Sequence, residues 1–113
     1  MNLREQILET NDLPLEAVEV HEWKTTVYMR GMNASERDHW EMSIYENKGI
    51  KMDNIRARLV VLTLCDESGN RLFNDEEVEK LGKKNAKVIN KLFEIAQRLS
   101  GIGQKDVEEL GKN

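Results

Sequence analysis

The side chains of this 113-residue chain best suited to catalysis or metal binding are two histidines, His21 and His39, and one cysteine, Cys65. A metal pair needs ligands a helical turn or a short loop apart, and neither histidine stands at such a spacing from the other or from Cys65. A nucleophilic thiolate needs a nearby base and an electropositive, partly exposed setting. Cys65 instead lies between Leu64 and Asp66 at the end of an apolar run. There a thiol packs as a small hydrophobe, and a neighbouring carboxylate raises its pKa. Gly101-Ile102-Gly103 opens like a dinucleotide fingerprint, but it follows a helical pattern instead of a strand, and Asp106 stands where a third glycine is wanted. Glu76, Glu77 and Glu79 fall in the first turns of a helix, where carboxylates complement the macrodipole. Nothing pairs a nucleophile with a base and an oxyanion donor. The expectation is a non-enzymatic protein with no catalytic, cofactor-binding or metal-binding residues, and no cofactor.

Recognition is the chemistry that remains. Lys80, Lys83, Lys84, Lys87 and Lys91 make a basic strip able to touch phosphate. The plainer reading is a solvated helix face opposite Ile89 and Leu92. Base readout would want arginine or asparagine on one helix of a basic domain, whereas the net charge is −4 and the pI near 5.3. Nucleic acid is therefore not an expected partner, and a DNA-binding regulator is the weaker alternative. Trp23 stands beside a proposed turn. It either folds back on the core or serves as an exposed anchor for a partner protein. With Tyr28 and Arg30, on the outward period of the strand that follows, it makes the candidate partner-binding set.

The elements that must position these residues are legible in outline. Leu3, Ile7 and Leu8 share one face of a short helix over residues 1–10, which Asp12-Leu13-Pro14 breaks. Val18 and Val20 alternate with Glu19 and His21, and Thr25, Val27 and Met29 with Thr26, Tyr28 and Arg30. That period of two over 15–30 reads as a β-hairpin whose connection is His21 to Lys24, with Gly31 ending the second strand. Asn33 with Glu36, and Asn74 with Glu77, have capping-box spacing. The first opens a helix to about Asn47 that carries Trp40, Ile44 and Tyr45, and the second a short helix with Val78 and Leu81 inward and Gly82 closing it. Residues 55–64 follow Asp53 or Asn54 as cap. Leu-Val-Val-Leu-Thr-Leu suits a buried strand as well as a buried helix, and the preceding Asn-Ile-Arg-Ala-Arg with the total length favours the helix. The turn Asp66–Asn70 leads to a brief apolar touchdown at Leu72-Phe73. Ile89, Leu92, Phe93, Ala96 and Leu99 form an apolar stripe over 84–100, closed by Gly101.

The fold class expected is α+β and mainly helical, with a small N-terminal β-hairpin followed by about four helices around one core. Length and a single proline suggest one domain over 1–113: a helix at 1–10, the hairpin at 15–30, a helical core at 33–100, then a short helix near Val107 and Leu110 and a mobile tail over 101–113. The N-terminus lacks the basic-then-apolar pattern of a signal peptide, and no apolar segment approaches the ~20 residues of a membrane span. A cytoplasmic protein is expected, with no membrane partner.

Three stretches together resemble the tail assembly chaperones of long-tailed, siphovirus-type phages and prophages. LREQILETNDLPLEAVEVHEW is similar to their opening, and TVYMRGMNASERDHWE to the strand and capped helix that follow. ARLVVLTLCDESGNRLFNDEEVEKLGKKNAKVINKLFEIAQRLSG is similar to their helical second half. The likeness runs in order over almost the whole chain. The family commonly has a proline where this chain has His21 and a glycine where it has Lys24, departures that bear on the hairpin turn. The resemblance implies a chaperone that binds and solubilises the tape-measure protein and helps tail-tube subunits assemble around it, in the host bacterial cytoplasm and absent from the finished virion. Its partners would be the tape-measure and tail-tube proteins, with homo-oligomers possible. Many relatives are also made in a longer, frameshifted form, and Leu110-Gly111-Lys112 can be encoded as a slippery run. The alternative within the same setting is a small structural tail or head–tail adaptor protein.

Overall fold

The computed structural model describes residues 1–45, 49 and 52–103. The element order is α1 (Leu3–Glu9), β1 (Leu15–Val20), β2 (Thr25–Arg30), α2 (Ala34–Ile44), α3 (Ile55–Thr63), β3 (Leu64–Cys65), α4 (Val78–Gly82) and α5 (Ala86–Leu99). This is a mainly helical α+β fold. The end of the helix expected to reach Asn47, and the helix expected near Val107 and Leu110, lie outside the described residues.

The hairpin forms where the alternation places it. β1 pairs antiparallel with β2 in the register Val18↔Val27 and Val20↔Thr25, so Val18, Val20, Val27 and Met29 share one face, all below 9% exposed. A single 3-10 turn over His21–Trp23 makes the connection, and Lys24 closes it with φ +56°. That left-handed conformation is costly for a residue with a Cβ and free for glycine, the residue the family resemblance sets at this position.

The run at 59–65 divides between its two readings. α3 buries seven of its nine residues, an all-round apolar helix that only a core surrounded on every side accommodates. Leu64 then turns extended, and Leu64–Cys65 becomes a third strand on the far side of β2, opposite Met29 and Tyr28. The sheet is therefore three-stranded, in the order β1-β2-β3, where the sequence pattern indicated a hairpin alone. Asn54 sits at the N-cap of α3 but at φ +54°, and its side chain makes no capping bond. Leu72 of the expected touchdown is 49% exposed, and only Phe73 packs on the core.

α5 lies across the valine face of the sheet and against α3, bringing Val88, Ile89, Leu92, Phe93 and Ala96 into one cluster with Trp40, Ile44 and Leu59. Asn85 opens α5 by accepting from the Lys87 and Val88 N–H groups. Gly101, at φ +71°, ends it in a Schellman turn: Ile102 N–H donates to Gln97 O and Gly101 N–H to Arg98 O. Gly82 closes α4 for another reason. A Cβ there would come within 2.4 Å of Asn54 Oδ1, so the glycine lets α4 approach the start of α3. β1 is the open edge of the sheet, and Lys91 Nζ donates to its Glu19 carbonyl at 3.1 Å, placing a charge on an edge that could otherwise pair with another strand.

Two variants test this account. Phe93→Ala removes a ring only 5% exposed and should cost about 3–5 kcal/mol in urea unfolding. Lys24→Gly should stabilise by about 0.5–1 kcal/mol, since relief of the left-handed strain exceeds the added freedom of the unfolded chain.

Candidate partner-binding site

The residues singled out for chemistry are scattered. His21 lies in the hairpin turn and Cys65 in β3 beside Tyr28, fully buried, where burial pushes its thiol pKa up and Asp66 adds to the rise while Arg30 opposes it. His39 Nε2 contacts Asp75 Oδ2 at 2.7 Å, joining α2 to the 3-10 turn at Asp75–Glu77. Ser43, four residues on, lines the same small cleft of about 140 Å³ as His39, Trp40, Arg58 and Asp75. Serine, histidine and aspartate meet there by type only. Ser43 Oγ donates to the Trp40 carbonyl at 2.6 Å and accepts from Arg58 at 3.0 Å. The hydroxyl is thus committed within its own helix and to a cation. The buried Trp40 Nε1 in this seam has no hydrogen-bond partner among the described residues.

The three candidate partner residues have different surroundings. Trp23 is partly buried and packs against the core, the folded-back reading of an aromatic beside a turn. Tyr28 is half-buried on the sheet face away from Val18 and Val27. Arg30 is 8% exposed and committed to contacts inside the chain. Its Nη1 and Nη2 grip the two oxygens of Glu36 at 2.7 and 2.8 Å, Nη1 also donates to the Gly31 carbonyl, and Nε to that of Gly69. Glu36 is the capping-box carboxylate of α2 and accepts from the Asn33 N–H at 3.0 Å. The hydrogen bond that Arg30 donates to Glu36 holds the Arg30 pKa above its ordinary value against the pull of burial. Burial alone would raise the Glu36 carboxyl. The Arg30 and Asn33 hydrogen bonds with the charges of Arg30 and Arg71 outweigh it, and the pKa falls below the usual range.

The surface that sequence patterning left without a role is α1. Asn2 caps it, yet no residue of the helix is buried. Leu3, Ile7 and Leu8 are 71%, 63% and 68% exposed, and Met1 before them 79%. Apolar periodicity detected the helix, but only packing shows that its apolar face is left exposed among the described residues. Contiguous exposed apolar side chains of this kind mark contact surfaces.

The whole sequence from residue 2 to residue 113 matches the profile of the family described as phage tail assembly chaperone. The chain belongs to that family. Among solved structures it is similar to the tail assembly chaperone of bacteriophage HK97, at 18% identity and a TM-score of 0.64, over 89% of this chain and 96% of that one. At this identity the likeness is one of fold. No curated protein gives a significant match. A tail assembly chaperone has a role in tail assembly.

Arg30→Met should lower stability by about 3–5 kcal/mol at neutral pH, because it leaves a shielded carboxylate without its counter-ion and removes the donor to two carbonyls. A carboxylate whose folded pKa is depressed stabilises above its unfolded pKa and loses that contribution as pH falls through the folded value. Glu36 and Asp75 are both depressed, Asp75 chiefly by its hydrogen bond from Arg71. The melting temperature should therefore drop below about pH 4, and less steeply in Arg30→Met.

Proposed function

We propose that this tail assembly chaperone binds the tape-measure protein and keeps it soluble while tail-tube subunits assemble around it, and that α1 is the surface that does so. Family membership supplies the assembly role. The single structural observation that carries the client-binding reading is the unpartnered apolar face at Leu3, Ile7 and Leu8. A long, largely helical client presents apolar stripes, and a short amphipathic helix shields such a stripe by side-to-side packing while the acidic body of the chaperone lends charge. Tyr28 is proposed to add to the contact from the exposed side of the sheet, with Trp23 and Arg30 acting through the shape of the hairpin. The setting is the host bacterial cytoplasm. No helix among the described residues is long and apolar enough to cross a membrane.

Co-expression tests this directly. The neighbouring tape-measure protein should stay soluble with the wild-type chaperone and co-purify with it. The double variant Ile7→Glu, Leu8→Glu should lose that effect while melting as the wild type does, since exposed substitutions move stability by only about 0.5 kcal/mol. A client equally insoluble with and without the wild-type protein would refute the reading. Finding the protein in purified virions would favour a structural adaptor instead.

A further inference from the structure

The lysine strip has no part in the client-binding surface above, and the fold gives it a context that the sequence lacked. Lys84 lines a groove of about 210 Å³ between α3, α4 and α5. Ile55 and Ile89 are buried in its floor, with Ala86 and the 40% exposed Met52 at its sides. Arg56 lines the same groove. Its guanidinium carbon lies 5.6 Å from the Phe93 ring centroid, and its Nε donates to Asn90 Oδ1 at 3.0 Å. The planar head is thus held in place by a ring and an amide. Its two Nη groups make no hydrogen bond among the described residues. A guanidinium fixed in this way is pre-organised to take a carboxylate in two parallel hydrogen bonds.

Charge is distributed to match. Residues 78–91 hold five lysines against Glu79, giving +4 within a chain of net charge −4, so the remaining residues sum to −8. Of those lysines Lys84 lines the groove, where it stands with Arg56 and with no carboxylate among the lining residues, so an acidic ligand is drawn there. The volume is below that of a drug-sized pocket but suits anchoring side chains from a longer segment. An apolar floor is of little use to a phosphate backbone, which lysines alone on a convex face would serve as well.

We propose that this groove docks an acidic segment of a partner protein, seating apolar side chains over Ile55 and Ile89 and a carboxylate on Arg56, with Lys84 as the second cationic contact. This surface is distinct from α1, and its test does not depend on tape-measure binding. Three probes would be titrated into the labelled full chain and followed by backbone amide NMR: a Leu/Glu helical peptide of about 18 residues, its Leu/Lys counterpart, and a duplex DNA of about two turns. The Leu/Glu peptide should shift the amides of Arg56, Gly82, Lys84 and Ala86, and weaken as salt rises from about 0.05 to about 0.5 M. Arg56→Gln and Lys84→Gln should each weaken it by about tenfold, and Arg56→Lys should fail to restore the two-point contact. Binding that survives both substitutions, or an equal response to the Leu/Lys peptide, would overturn the proposal. So would tighter binding of the duplex at the same amides, which would make the groove a nucleic-acid face. Concentration-dependent shifts of those amides in the protein alone would overturn it in favour of a second copy of the chain.

Discussion

A guanidinium at the end of β2 ties together three parts of the chain that local forces leave separate. Arg30 meets the capping carboxylate of α2, its neighbour's carbonyl at Gly31, and the Gly69 carbonyl in the turn after β3. Without it the two carbonyls would lose a donor and the partly shielded carboxylate its counter-ion, at a cost comparable to a lost hydrogen bond for each. The capping box sets where α2 begins, and the turn sets how β3 returns. Arg30 thereby fixes the angle between the sheet and the first core helix.

The same device recurs at other helix ends. α3 is buried almost all round, so the carbonyls of its last turn have no water to turn to. Arg71 donates to Val61 O at 3.1 Å, and the Thr63 hydroxyl returns to Leu59 O at 2.9 Å. Arg58 reaches from α3 to the Ser43 carbonyl of α2 and to the Asp53 carbonyl before its own helix. Arginine suits the task because one rigid fork reaches several acceptors at once. Among the described residues, the internal polar chemistry is therefore architectural: side-chain donors and acceptors close helix ends and turns.

The core holds itself together through valine-face packing and helix-end satisfaction, and it needs nothing from α1. A helix that contributes no buried side chain can change its contacts without disturbing the core.

Where the signal is local, the sequence by itself determined most of the structure, although Asn54, read as a cap, stands at φ +54° and makes no capping bond. The period of two over 15–30, the capping boxes at Asn33–Glu36 and Asn74–Glu77, the stripe through Ile89 and Phe93 and the glycine at Gly101 each rest on neighbours within a few residues. Those are the interactions that propensity and capping encode. Order along the chain likewise carried the family. What only the tertiary structure decided is what depends on contacts distant in sequence. A run apolar on every side carries no periodicity, so the division of 55–65 into a helix and a third strand was settled by what surrounds it. Trp23 went to the core, and Arg30 to a carboxylate six residues away and a turn 39 residues away. The face of α1 was legible, but its exposure was not, because a pattern shows which side chains stand together and only packing shows whether anything lies against them.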